Sequence, residues 1–190
     1  METACNSTMK DLEVIHTYLD NQASNCFNLL YNRYSTKIYS KCIAMLKNEE
    51  KAADATQEIF MKIFINLSKF GEKSKFSTWV YSITYNYCID FIRRNKKLKN
   101  IFSDELENLP EIEDEVIDKE LLEMEINTLQ KVLKELPPGD EAVLLMKYRD
   151  DMQIKEIAQI MDKSESAIKM KLKRAKVKAQ NLKRKMYSEI

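Results

Sequence analysis

Only two glycines and three prolines occur in 190 residues, and this scarcity limits the fold more than any single motif does. Hairpins and tight turns draw on residues that accept positive φ or hold φ near that of proline. A chain nearly without them cannot join many strands, so the expected class is all-α. Hydrophobic residues reach 44%, enough to fill packed cores and too many for a disordered chain.

Apolar spacing divides the first half into helices. Residues 12–19 form a short one. Residues 23–46 carry Phe27, Leu30, Tyr31, Tyr34, Ile38, Cys42 and Met45 at intervals of three and four, the spacing of one buried helical stripe. Asn48 is placed to cap the next helix, with Glu49 and Glu50 where the helix dipole favours acids. That helix is expected to reach about Leu67 and to bury Ile59, Phe60, Ile63, Phe64 and Leu67. Gly71 interrupts the pattern, so residues 69–77 read as a loop, with Ser77 or Thr78 as the cap of another helix.

This next helix is aromatic and runs into a basic block. Six aromatic side chains fall within residues 76–91, and Arg93, Arg94, Lys96 and Lys97 come directly after. Rings can stack on unpaired bases and the cations can hold phosphates; the plainer reading is a packed core. At about 100° per residue, Trp79, Ile83, Asn86, Asp90 and Arg93 share one face. Val80, Thr84, Tyr87, Cys88, Phe91 and Ile92 take the other. A core would not choose an amide, a carboxylate and a guanidinium together. The phase therefore sends Val80, Tyr87 and Phe91 inward and leaves Trp79, Asn86 and Arg93 facing a polar partner.

Net charge is only +1, but it is segmented. Residues 93–99 hold five basic residues and no acid; residues 104–125 hold eleven acids and one lysine; residues 169–185 hold nine basic residues and no acid. Two basic blocks beside candidate recognition helices favour a nucleic-acid partner over two solvated faces. Residues 99–120 read as an acidic linker between domains at 1–98 and 121–190. The linker also contains Ile101, Phe102, Leu106, Leu109, Ile112, Val116 and Ile117, more apolar surface than a solvated spacer needs.

In the second domain a helix over 121–136 stops at Pro137-Pro138-Gly139-Asp140, and another spans 141–149. Residues 154–161, a break at 162–165 and a basic helix over 166–185 give the order of a helix-turn-helix. Ile157, Ala158, Met161, Ile168 and Leu172 would make its internal contacts, and Ser164 would cap the recognition helix. The start of that helix enters a major groove, so Glu165, Ser166, Lys169, Met170 and Lys173 form the candidate base-reading set. Arg174, Lys176 and Lys178 lie further along and suit phosphates.

Several functions lack the residues they need. Cys5, Cys26, Cys42 and Cys88 include no C-x-x-C pair, and His16 is the single histidine. No zinc site is expected, and the cysteines read as free thiols in a reducing compartment. No nucleophile with its base, no Gly-rich phosphate loop and no cofactor motif appears, so no catalytic activity is expected. There is no apolar run of eighteen residues and no secretory start, which predicts a cytoplasmic protein without membrane insertion.

Two motifs in order carry a family resemblance. DATQEIFMKIFINLSKF (54–70) followed by FSTWVYSITYNYCIDFIRR (76–94) resembles the second conserved domain of bacterial RNA polymerase sigma factors. LPPGDEAVLLMKYRDDMQIKEIAQIMDKSESAIKMKLKRA (136–175) resembles their fourth. With no sizeable domain between them, the chain is similar to the small extracytoplasmic-function class. The resemblance implies a non-catalytic subunit that steers core RNA polymerase to promoters and helps open the duplex.

On these residues the resemblance implies that Asp54, Gln57, Glu58 and Phe60 grip the clamp helices of the largest polymerase subunit. Lys73, Lys75, Phe76, Trp79, Asn86, Arg93 and Arg94 would capture and hold the opened minus-ten element. Ser164, Glu165, Ser166, Lys169, Met170, Lys173 and Arg174 would serve the minus-thirty-five duplex, in a domain that also packs on the flap of the second-largest subunit. An anti-sigma factor is a further expected partner. The family commonly has glycine at the positions of Asp151 and Asp162, and aspartate tolerates left-handed geometry better than most residues. The other reading kept open is a stand-alone helix-turn-helix regulator, which would need a dimer and a palindromic site and would leave Trp79, Asn86 and the loop at 69–77 without a task.

Overall fold

The computed structural model describes residues 5–95 and 126–187. No strand forms among the described residues, as the shortage of turn formers requires. Two compact units divide the chain between residues 92 and 93. The acidic linker, Lys96 and Lys97, and the first residues of the predicted 121–136 helix lie outside the described residues.

In the first unit, α1 is Asp11–Asn21, α2 is Ser24–Leu46, α3 is Glu49–Asn66 and α4 is Phe76–Asn95, with a 3-10 turn at Leu67–Lys69. Asn48 caps α3 as its position suggests: its side-chain oxygen accepts from the Lys51 amide at 2.8 Å, which satisfies one otherwise unpaired helix-start donor. Left-handed residues Gln22 and Lys47 end α1 and α2. The sharp turns at these residues bring α1 and α3 against α2. Val14, Ile15, Leu30, Ile38, Ile59, Ile63, Leu67 and Val80 meet in the core, where their burial is the main stabilising term.

The aromatic helix starts earlier than expected, at Phe76. The Trp79 amide bonds the Lys75 carbonyl at 3.2 Å, so Ser77 and Thr78 lie inside α4 and cap nothing. In the loop before it, the residue with positive φ is Glu72, at 54°, and not Gly71.

The cysteines also depart from expectation. Cys5 and Cys26 are joined by a disulfide with Cα atoms 5.0 Å apart. Sequence spacing hid this because a turn between α1 and α2 folds residues 21 apart onto each other. Cys42 and Cys88 are free and buried, as anticipated for packing thiols.

In the second unit, α5 is Ile126–Glu135, α6 is Pro138–Leu144, a π-type turn covers Leu145–Arg149, α7 is Ile154–Met161 and α8 is Glu165–Tyr187. Pro138 sits in the first turn of α6, where its missing N–H leaves no bond unmade. Asp151 and Asp162 both adopt left-handed φ, 49° and 51°, the conformation for which glycine or a short polar residue is needed. α5, α6 and α7 all pack on α8, around Val132, Val143, Ile157, Ile160 and Ile168.

Candidate polymerase and promoter surfaces

The outer face of α3 follows from its phase. Ala52, Ala55, Thr56, Ile59 and Ile63 turn inward, so Asp54, Gln57 and Glu58 are left exposed. Glu58 is not a free carboxylate: it accepts the Tyr87 hydroxyl at 2.9 Å, tying α3 to α4. Lys62 lies over the same Tyr87 ring, 4.9 Å from its centroid.

Phe60 does not belong with these surface groups. It is 5% exposed, with its ring 4.5 Å from that of Tyr31. It forms the floor of a cleft of about 460 Å³ whose walls include Tyr18, Phe27, Tyr31, Met61 and Phe64, with Gln57 on its rim. Phe64, expected inside, is 44% exposed; Met61 and Ile65 are 62% and 67% exposed. Neighbouring exposed apolar side chains of this kind mark an interaction surface more often than chance. The motif IFMKIF is apolar almost all round, so periodicity could not tell which ring the neighbouring helices cover.

The candidate minus-ten surface is a loop closed by an aromatic cluster. Phe70 and Phe76 meet edge to face at 5.3 Å, and Trp79 contacts both at 5.4 and 5.6 Å. Tyr34 of α2 packs edge-on against Phe76 at 5.3 Å. Phe76 is 4% exposed, so it cannot stack on a base; it holds the two ends of the loop together. Trp79 is half-buried by the same contacts, while Lys73, Lys75 and Asn86 are exposed. Arg93 and Arg94 extend the exposed line into the last turn of α4. Tyr87 and Phe91 are half-buried and stacked on each other at 6.4 Å, not interior. Val80 goes inward as expected, and Thr84, Cys88 and Ile92 of the same face take the core positions beside it.

Two further groups brace this region, and neither stood out in the sequence. His16 Nε2 of α1 lies 2.6 Å from Glu72 Oε1 at the tip of the loop. Below them, Asp11 takes a hydrogen bond from Arg33 at 2.7 Å and another from the Tyr34 hydroxyl. Burial, followed by the Asp11 carboxylate, holds that hydroxyl far above the usual tyrosine range, so it remains a donor.

The helix-turn-helix is built from α7 and α8. Glu156 accepts the Gln153 amide at 3.1 Å at the start of α7. Ser164 Oγ accepts the Ala167 amide at 3.2 Å at the start of α8, the predicted cap. Ile157, Ala158, Met161, Ile168 and Leu172 are all buried between the two helices. Ser164, Glu165, Ser166, Lys169 and Met170 are exposed, and Lys173 and Arg174 are half-buried.

The basic helix is not uniformly solvent-facing. Lys176 is 6% exposed, which removes it from the phosphate-contacting set. Lys171 and Lys178 both reach the buried Asp140 of α6, at 2.8 and 3.1 Å. This carboxylate fixes the rotation of α8 and turns two of its cations toward the domain. Lys169 therefore stands out on the exposed half. Lys169→Ala should weaken duplex binding about equally for all sequences if it touches phosphate, lowering the salt slope by about one. If it reads a base edge, discrimination at one position should fall by about 1–3 kcal/mol. Titrations at several salt concentrations on matched and mismatched duplexes separate these outcomes, and an unchanged slope with unchanged discrimination excludes a direct contact.

Among the described residues no cluster of His, Cys, Asp and Glu could hold a metal ion. No helix among them is long and apolar enough to cross a membrane.

Both units have counterparts among known proteins. Residues 30–98 match the model for sigma-70 region 2, and residues 126–178 match that for sigma-70 region 4. The ECF RNA polymerase sigma factor SigW of Bacillus subtilis is 32% identical over 159 residues, covering 75% of this chain and 81% of SigW. SigM of the same organism is 28% identical, covering 77% of this chain and 88% of SigM. Among solved structures, CnrH in complex with the cytosolic domain of CnrY aligns with a TM-score of 0.63 at 17% identity over 90% of this chain and 96% of that one. RpoE in complex with the anti-sigma factor NepR from Bartonella quintana aligns at 0.60 and 15% identity over 82% and 95%; at such identities these two speak for the fold. A region-2 domain with an aromatic-closed loop, a region-4 helix-turn-helix and a curated relative matched over most of both chains together make this chain a member of the extracytoplasmic-function sigma factors of bacterial RNA polymerase.

Proposed function

We propose that the exposed polar face and apolar cleft of the first domain together dock on core RNA polymerase. Asp54, Gln57 and Glu58 supply the polar rim, and Met61, Phe64 and Tyr31 supply apolar contacts around the Phe60 floor. Polar rims around apolar centres are the usual anatomy of a stable protein interface. The clamp helices of the largest subunit are the partner this surface suits.

The loop at 70–75 and the exposed line of Asn86, Arg93 and Arg94 then hold one unpaired strand of the minus-ten element. Lys73 and Lys75 add positive charge at the loop, and the edge of Trp79 borders the place a flipped base would occupy. Extruding a base costs a few kcal/mol, which pocket contacts and stacking can offset. Glu165, Ser166, Lys169, Met170 and Lys173 read the minus-thirty-five duplex, with Arg174 toward the phosphates, in a domain that also meets the flap of the second-largest subunit. The chain performs no bond chemistry itself and works where RNA polymerase works. An anti-sigma protein covering one or both domains is a further partner, by analogy with the complex of RpoE with the anti-sigma factor NepR.

The observation that carries this reading is the pairing, in one chain, of an aromatic-closed loop beside exposed Asn86 with a capped helix-turn-helix. Run-off transcription tests it. Purified chain, core polymerase and a promoter library should give starts at a defined set of sites. Tight duplex binding by the chain alone, with no effect on polymerase, would overturn it in favour of a stand-alone regulator.

A further inference from the structure

We propose that Cys5 and Cys26 form a reversible thiol–disulfide site that sets how firmly α1 closes the apolar cleft of the first domain. The proposal rests on the polymerase reading for its setting, because RNA polymerase works where thiols are ordinarily kept reduced. A disulfide in such a compartment is more often a transient, responsive bond than a permanent one.

The geometry keeps the two sulfurs together whether or not the bond exists. Arg33 donates to the Ser7 and Met9 carbonyls at 2.9 and 2.7 Å, and to Asp11 at 2.7 Å. The Asn25 amide donates to the Cys5 carbonyl at 3.2 Å. These bonds hold the segment before α1 against α2 without using sulfur. The reduced thiols thus stay neighbours at high effective concentration, which favours closure of the second step over escape of a mixed disulfide.

Exposure is unequal and sets the order of events. Cys5 is half-buried and Cys26 is fully buried. In oxidation by a small disulfide such as oxidised glutathione, the Cys5 thiolate attacks one sulfur and expels one small thiol. Cys26, losing its proton, then displaces the second small thiol from Cys5. Two electrons leave the chain sulfurs, one chain disulfide forms, and one small disulfide becomes two thiols. Reduction runs back through attack on the accessible Cys5 sulfur, with Cys26 regaining its proton.

The other two cysteines supply an internal control. Cys42 and Cys88 lie 3.8 Å apart between α2 and α4, and both are fully buried. The hydrogen bond between them, the largest influence on each, raises the Cys88 pKa and lowers that of Cys42, so it is their complete burial that shields the pair. No small disulfide reaches them without unfolding the domain.

The bond acts on a functional wall. α1 contributes Tyr18 to the cleft and Gln22 follows at its end, while Ser24, Phe27 and Asn28 beside Cys26 form the adjoining wall. Val14 and Ile15 keep α1 in the core, so reduction loosens the helix without detaching it. Through His16 and Glu72 the same helix touches the loop before α4.

The test uses the full chain in glutathione buffers of graded ratio, quenched by alkylation and read by mass. Cys5 and Cys26 should oxidise together in one two-electron transition while Cys42 and Cys88 stay reduced. The oxidised form should melt on the order of 5–15 °C higher, and α1 amides should exchange about tenfold more slowly in it. It should bind core polymerase about threefold or more tightly, because a stiffer wall loses less freedom on docking. Cys5→Ser should keep the fold and lose all three differences. Independent alkylation of Cys5 and Cys26 in every buffer, equal α1 exchange, or equal polymerase affinity of two forms that both bind would overturn the proposal. The titration and exchange need no polymerase, so their failure is distinct from that of the functional reading. Failure of both forms to bind polymerase would overturn the reading of the cleft, and the coupling with it.

Discussion

Met61→Asp should weaken holoenzyme formation by a large factor while leaving the chain folded. Met61 is 62% exposed on the wall of the cleft, so its loss should change stability by less than about 0.5 kcal/mol. A carboxylate at the centre of an apolar contact must be desolvated without a partner. Truncated or reversed interface anchors commonly cost about 2–4 kcal/mol, which is roughly 30-fold to 1,000-fold in Kd. Met61→Leu keeps volume and apolarity and should bind within a few-fold of the parent. Fluorescence anisotropy with core polymerase, beside a thermal melt, reads both quantities. Near-parental affinity of the aspartate variant would mean that the cleft faces solvent in the holoenzyme.

The second large effect concerns Phe76, where burial and family pattern point to different roles. As a core ring between Tyr34, Phe70 and Trp79, Phe76→Ala should cost about 3–5 kcal/mol of domain stability. That is a large share of the stability of a small domain, and the loop at 70–75 would lose its closure. Phe76→Leu keeps most of the volume and should cost about 1 kcal/mol. Promoter opening, read by permanganate reactivity of unpaired thymines, should then survive in the leucine variant and fail in the alanine variant. If leucine abolishes opening while the melt stays near parental, the ring touches DNA and the packing account is wrong. Asn86→Ala separates the roles further, since an exposed amide contributes little to folding.

The corrections to Phe64 and Lys176 share one cause, because both lie on helices whose sequences are apolar or basic on more than one side. Phe60 and Phe76 differ: the resemblance, not the apolar spacing, put them on the surface, and the spacing had already placed Phe60 inside. A pattern of period 3.6 gives the width of a stripe but not the angle at which neighbours cover it. In α3 the neighbours cover Phe60 and leave Phe64 and Ile65 outside. In α8 they cover Lys176 and turn Lys171 and Lys178 onto Asp140. The charge count of a helix is thus a poor measure of the charge it offers to DNA. Glu58 makes the same point for acids, since Tyr87 engages the carboxylate that sequence reads as solvent-facing.

Features under local chemical control were legible in the chain alone. The scarcity of glycine and proline set the all-α class. Asn48 and Ser164 marked the starts of α3 and α8, because a helix start needs a side-chain acceptor close in sequence. The α7 limits were legible in the apolar spacing, whereas the left-handed aspartates at 151 and 162 were expected only from the family resemblance, which places glycine there. The order of the two motifs pointed to the family. Folding in three dimensions was needed to assign each aromatic ring to floor, wall or surface, and to turn particular lysines inward. It alone joined Cys5 to Cys26 and His16 to Glu72, residues 21 and 56 apart. These pairings depend on how helices rotate and cross, and that is set by packing of the whole domain rather than by any window of the chain.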